Sequence, residues 1–161
     1  VITFDCGGTW FNFRAVAVVY DGPERRRVLL HTGGGDDFWS LPGGRVEPNE
    51  AAADAVVREL REELNAAARV ERLLWVVENF YTHRGRATHE LAMYFETTLP
   101  AAGPWREQTQ LLGTEPGTDL VFRWFDVAAE LPSTRVYPTF LVAGLANPPT
   151  SAAHLVHRDG P

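Results

Sequence analysis

The stretch Asn49-Glu50-Ala51-Ala52-Ala53-Asp54-Ala55-Val56-Val57-Arg58-Glu59-Leu60-Arg61-Glu62-Glu63-Leu64-Asn65 opens out of a polar loop and closes on an asparagine. Within it Ala53, Val56, Val57, Leu60 and Leu64 recur at the three- and four-residue steps of one helix face. Asn49 is a good N-cap, and Glu50 places negative charge on the first turn, where the helix dipole favours it. Asn65 is, after glycine, the residue that best tolerates the left-handed backbone of a helix stop. The spacing predicts an amphipathic helix from about Glu50 to Leu64.

Working outward, Leu41-Pro42-Gly43-Gly44 is a backbone-permissive corner just before the helix, and Gly33 to Asp37 is a second loop before that. Arg14 to Tyr20 (RAVAVVY) and Val28 to His31 (VLLH) are β-branched and apolar, and Asp21-Gly22-Pro23 between them predicts two strands joined by a turn. After the helix, Leu73 to Phe80 and His89 to Thr97 read as an antiparallel pair around a polar stretch containing Gly85. Leu99 to Gly117 is rich in proline and glycine, Val121 to Asp126 reads as a strand, and Pro138 to Ala146 as a short helix with proline in its first turn. Strands interleaved with helices predict an α/β domain with a mixed sheet. One domain over residues 1–147 is expected, with 148–161 as a flexible surface tail, because that tail carries prolines and little apolar pattern.

Composition narrows the function. The 161 residues, 45% hydrophobic, suffice for one substantial core, and no apolar run approaches the roughly 20 residues of a membrane helix. Cys6 is the single cysteine, which fits a reducing compartment, so the cytoplasm is the expected location. A formal charge of −6 argues against unaided contact with a nucleic-acid polymer. All 15 basic residues are arginine, which excludes a P-loop lysine and a Schiff-base lysine. Any phosphate must therefore meet arginine, backbone N–H groups or metal.

Glu59, Glu62 and Glu63 fall at i, i+3 and i+4, on one strip of the helix. Like charges at this spacing repel unless a cation lies among them, and carboxylates are the ligands Mg²⁺, Mn²⁺ and Ca²⁺ prefer. The alternative is a solvated face laced by ion pairs such as Arg58 with Glu62. The order of Gly43-Gly44, Glu47, Glu50 and then the carboxylates favours the cation, because it sets an exposed backbone corner and an acidic helix face within one short unit.

Gly44, five residues, Glu50, seven residues, then Arg58-Glu59-Leu60-Arg61-Glu62-Glu63-Leu64-Asn65-Ala66 resembles the Nudix box. Asn65 stands where that pattern has glycine, and Ala66 is a small version of its last aliphatic position. Trp39-Ser40-Leu41-Pro42-Gly43-Gly44 before the box and Arg123-Trp124-Phe125-Asp126 after it are similar to the same family, so the likeness runs over about 12–147.

The resemblance implies an α/β/α sandwich with a mixed sheet between helices. It also implies a hydrolase, dependent on Mg²⁺ or Mn²⁺, that cleaves the diphosphate linkage of a nucleoside diphosphate joined to another group: a nucleoside triphosphate, nucleotide sugar, ADP-ribose or dinucleotide. Glu59, Glu62, Glu63 and the Gly43 carbonyl match the metal ligands. Arg58 matches the residue that holds a box glutamate, Glu59 serves as or orients the base, and Gly44 and Glu50 support the helix start. Glu107, Glu115, Asp119 and Glu90 are further acids available as base. Trp10, Phe38, Trp39, Trp75, Phe80 and Tyr81 are available to stack a base, although aromatics at strand positions equally serve as core. Arg14, Arg84 and Arg86 are available for phosphate or ribose. Of these, Arg14, Trp39, Glu90 and Glu115 are taken as the substrate-binding set. A homodimer is compatible with the family. The competing readings are a Nudix-fold nucleotide sensor without turnover and a prenyl diphosphate isomerase. Intact box acids argue against the first, and the distance of Cys6 from the box argues against the second.

Overall fold

The computed structural model describes residues 1–160. Its elements run β1 (Thr3–Cys6), β2 (Thr9–Val18), β3 (Arg27–Thr32), β4 (Gly43–Arg45), α1 (Ala52–Leu64), β5 (Arg69–His83), β6 (Arg86–Thr98), β7 (Gln110–Leu112), β8 (Val121–Asp126), α2 (Leu141–Ala146) and β9 (Ala153–Arg158). The larger sheet has the order β1-β2-β6-β5-β9, with β4 added on β2. It is mixed, because β2 runs parallel to β6 and β5 parallel to β9, while β5 and β6 form the expected antiparallel pair. A second, antiparallel sheet has the order β3-β8-β7.

The side chains of β2 alternate between two cores. Ala15 and Ala17, with Val19 just past the strand, face the core built on α1, whereas Val16 and Val18 face the core that includes Leu141 and Leu145 of α2. One helix therefore covers each face of the mixed sheet, the α/β architecture expected from the alternation of elements. Ala55, Val56 and Leu60 of α1 are fully buried, and each of the larger two contributes about 2 kcal/mol through removal from water.

The start of α1 differs from the expectation. Its N-cap is Ala51, with no side-chain cap, and Asn49 instead takes a left-handed turn conformation at φ 63°. The Glu50 carboxylate accepts the Glu47 N–H at 2.9 Å, bracing the turn before the helix rather than its first turn. The other end is as read. Asn65 sits at φ 51°, ψ 36°, and donates its N–H to the Arg61 carbonyl at 2.9 Å.

The expected flexible tail is corrected by β9, which pairs with β5 from Trp75↔Ala153 to Phe80↔Arg158. Ala153 and Leu155 pack on the α2 core, and the Arg158 guanidinium lies 4.1 Å from the Phe80 ring centroid. The long β5 would otherwise leave an unpaired edge, and a short alternating segment suffices to cover it. The segment before β8 also contains β7, where only loop was expected, and the last helix begins at Leu141 rather than Pro138.

Candidate active site

Arg58, two turns into α1, gathers the acids of the helix start and end. Its Nε and Nη2 donate to the two Glu50 oxygens at 2.8 and 3.0 Å, Nη1 to Glu59 at 2.7 Å and to Glu62 at 3.3 Å, and Nη2 also to the Arg45 carbonyl at 3.1 Å. The forked contact with Glu50 is the geometry guanidinium and carboxylate favour. These hydrogen bonds hold the Glu50 carboxyl below its usual pKa. Arg58 thus ties α1 to the β4 corner and fixes the direction of Glu59.

Glu59 lies over Gly44, where an added Cβ would fall on its carboxylate. Gly43 is buried at φ 138°, and a Cβ there would meet the Ala15 carbonyl and stand 2.9 Å from Val16 Cα. Two glycines in sequence therefore let β4 and the carboxylate approach closely. The Gly43 carbonyl accepts a hydrogen bond from Arg14 Nη2 at 3.1 Å.

Glu63 is 5% exposed, and its Oε2 has no hydrogen-bond partner. Burial, with the Glu59 charge next, pushes its carboxyl up to about 8; Arg14 opposes the shift, and Glu115 and Glu62 add to it. Glu62 is more exposed, and its carbonyl accepts the Thr114 hydroxyl at 3.0 Å while the Glu63 carbonyl accepts the Thr114 N–H at 2.7 Å. The loop carrying Glu115 is thereby docked on the C-terminal turn of α1. Among the described residues no three His, Cys, Asp or Glu side chains already converge as a metal cage. The donor set nevertheless fits a hard divalent cation, since an unpaired buried carboxylate oxygen surrounded by like charges is stabilised by one.

Beside this acidic end opens a cavity of about 620 Å³. It is lined by Arg14 from β2, His31 from β3, Asn79 and Tyr81 from β5, Glu90 from β6, and Phe38 and Tyr137 from loops. On β5 and β6 the face that carries the α2 core, with Trp75 and Val77 opposite Tyr94 and Ala92, turns polar at Asn79 and Glu90. Burial works against the Arg14 charge, but Glu90, then Tyr81, Tyr94 and Glu63, outweigh it and raise its pKa. Arg14 is thus within electrostatic reach of both the cavity floor and the acidic helix. His31 is 8% exposed; burial first and Arg14 second lower its pKa to about 3, so it is neutral at pH 7.

The structure brings together Gly43, Gly44, Glu50, Arg58, Glu59, Glu62 and Glu63 around the β4 corner, with Glu115 near Glu63 and with Arg14 and Glu90 in the cavity. Trp39 is not brought there. Its ring packs 4.8 Å from that of Phe125, and its backbone pairs with Val136, because bulky apolar surface at this position closes the α2 core. Trp75 is likewise core, 4% exposed. Sequence reasoning missed His31, Asn79, Tyr137 and Asp159 as cavity residues. The two-residue alternation along β5 was the available signal for Asn79. Nothing local marked the others.

A family model described as NUDIX domain matches residues 11–139. Diphosphoinositol polyphosphate phosphohydrolase 2 of Mus musculus is 36% identical over 110 residues, 68% of this chain and 58% of that protein, so the chain spans little more than half the length of this relative. Among solved structures, a MutT NUDIX hydrolase from Burkholderia pseudomallei superposes with a TM-score of 0.60 at 22% identity, covering 85% of this chain and 98% of its own. An ADP-ribose pyrophosphatase from Streptococcus suis superposes with a TM-score of 0.52 at 14% identity, covering 91% of this chain and 98% of its own.

Proposed function

Because the chain belongs to the Nudix family, we propose that it is a divalent-metal-dependent hydrolase cleaving the diphosphate linkage of a small nucleoside diphosphate derivative. The observation that carries this reading is the buried, unpaired Glu63 carboxylate among Glu59, Glu62 and Glu115, linked through Arg14, which bonds the Gly43 carbonyl, to a cavity large enough for a nucleoside. Mg²⁺ or Mn²⁺ held by Glu59, Glu62, Glu63 and the Gly43 carbonyl would neutralise phosphate charge and acidify an attacking water.

The chain's own groups have separate tasks. Arg58 keeps Glu59 aimed over Gly44 and holds the more exposed Glu62 by a longer contact at the helix surface. Arg14, with Nη2 on the Gly43 carbonyl and its Nε free, is placed to meet a phosphate oxygen passing from the cavity towards Glu63. Glu59, held by Arg58, and Glu115, near Glu63, are the carboxylates placed to take a proton from water.

The test is hydrolysis of nucleoside triphosphates, nucleotide sugars, ADP-ribose and dinucleotides with Mg²⁺ and then Mn²⁺, following phosphate and mononucleotide release. Turnover by the wild type and a loss of at least about 100-fold in Glu62→Gln and Glu63→Gln is expected. Wild-type rates in both variants would exclude the assigned ligands.

A further inference from the structure

The register of β1, β2, β6, β5 and β9 lines up Phe4, Phe11, His89, Phe80 and Arg158 as direct cross-strand neighbours. Their side chains form one row across the larger sheet. Phe4 stacks on Phe11 at 5.1 Å between centroids, Phe11 stands edge-on to His89 at 5.6 Å, His89 stacks on Phe80 at 4.3 Å, and the Arg158 guanidinium lies 4.1 Å from the Phe80 centroid. The row stands on the face that α1 covers farther along the same strands, since Phe13 and Met93, an even number of residues on from Phe11 and His89, pack at the edge of the α1 core. The cavity lies on the opposite face, to which the adjoining Asn79 and Glu90 point.

Phe4, Phe11, Val76, Phe80, Leu91 and Val156 pack on neither hydrophobic core. Phe4 is 48% exposed and Val156 59%. A sheet face turned to water normally carries polar side chains. This one instead carries rings and aliphatic groups across five strands, a width of about 24 Å, and a contiguous exposed apolar patch marks a contact surface. Among the described residues its formal charges are Arg158 and Glu78, the latter paired with His154 at 2.9 Å. The face is thus near neutral on a chain of formal charge −6, and it offers no run of cations to a nucleic acid or an anionic membrane.

We infer that this face docks a second copy of the chain, sheet on sheet, about a two-fold axis that crosses the strands. The inference is independent of the hydrolase reading. A two-fold along the strands would drive α1 of one copy into the sheet of the other, because α1 stands on the same face; an axis across the strands turns the two helices to opposite ends. Placed between the Phe80–Arg158 pair and the adjoining Glu78–Val156 pair, that axis lays each aromatic row on the aliphatic row of the other copy and sets each Arg158 beside the partner's Glu78. The single cation and single carboxylate of the face thereby complement each other across the interface. The exposed side chains of the face amount to on the order of 800 Å² per copy, which is what a standard stable interface takes from each partner.

Sedimentation velocity of the whole chain, run from about 1 to about 200 µM, is expected to show a reversible monomer–dimer equilibrium with Kd in the range of about 1–100 µM. Glu78→Arg sets arginine against the partner's Arg158, and Arg158→Glu sets glutamate against the partner's Glu78, so each variant alone is expected to dimerise at least about tenfold more weakly. Mixed in equal amounts, the two variants are expected to form a mixed dimer about as tight as the wild type, because both contacts then join opposite charges. No change within one chain produces that rescue, since the two substitutions never share a chain.

A wild type that stays monomeric at every concentration overturns the inference and leaves the face to a different partner. Unchanged dimerisation in both single variants overturns it in favour of another surface. A mixture no tighter than either variant alone overturns it as well. Should either variant fail to fold, judged by Tm, Phe4→Ser and Val156→Ser decide it by the same sedimentation, a tenfold weaker dimer in both supporting the docking face and an unchanged dimer in both overturning it.

Discussion

Below pH 6.5 an unfolded chain protonates His31, whereas the folded chain resists until about pH 3, because the ring is buried and faces the Arg14 charge. The folded pKa is depressed, so this residue contributes stability above pH 6.5 that is lost as pH falls towards 3. From about pH 7.5 to about pH 5 the linkage amounts to about 2 kcal/mol. That figure is insensitive to the depth of the shift, since any folded value below about 4 leaves the folded ring neutral at pH 5. His31→Gln removes the titration while keeping a polar side chain in the cavity. Urea denaturation of both proteins at the two pH values isolates the effect, because the remaining acids titrate alike in both and cancel in the difference. The wild type is expected to lose about 2 kcal/mol more than His31→Gln, a difference of about 4–8 °C in Tm for a chain of this length. Parallel losses would refute the claim that His31 is held neutral by burial.

Three further outcomes follow from the site. Arg58→Ala strands the half-buried Glu50 and Glu59 and the Arg45 carbonyl, and should cost about 3 kcal/mol by chemical denaturation. Arg58→Lys should restore only part of this, because one ammonium cannot reproduce the fork on Glu50 together with the Glu59 contact. Gly43→Ala combines a strained φ of 138° with a Cβ driven into the β2 backbone, and should lose about 3 kcal/mol in the same assay. Asn65→Gly should leave Tm unchanged or slightly raised, and Asn65→Val should lower stability by about 1 kcal/mol or more, since φ 51° suits glycine and strains a β-branched residue.

The parts of the site that were legible share one property: they depend on a few neighbouring residues. The i, i+3, i+4 spacing placed Glu59, Glu62 and Glu63 along one side of α1 whatever the rest of the chain did. Asn65 stops the helix through its own φ and two backbone carbonyls within the last turn. Even so, local reasoning misjudged Asn49. The Glu47–Glu50 turn and the reach of Glu50 to Arg58, eight residues on, displaced the helix start by two positions. Trp39 failed for a related reason, because whether an aromatic lines a cavity or a core depends on a partner such as Phe125, far along the chain.

From the amino acids alone came the helix and its acidic strip, the glycine corner, the β5–β6 pair and the likeness to the Nudix box, all features whose geometry is set by backbone periodicity and short-range sterics. The tertiary structure decided what no short window contains. It joined β2 to β6 in parallel, recruited β9 onto the open edge of β5, and brought His31, Tyr137 and the Asn79–Glu90 pair of the β5–β6 hairpin from three distant segments to one cavity that Arg14 links to the acidic helix. Strand order and register depend on contacts summed over the whole chain, and it is these that determine which face of each strand meets the substrate.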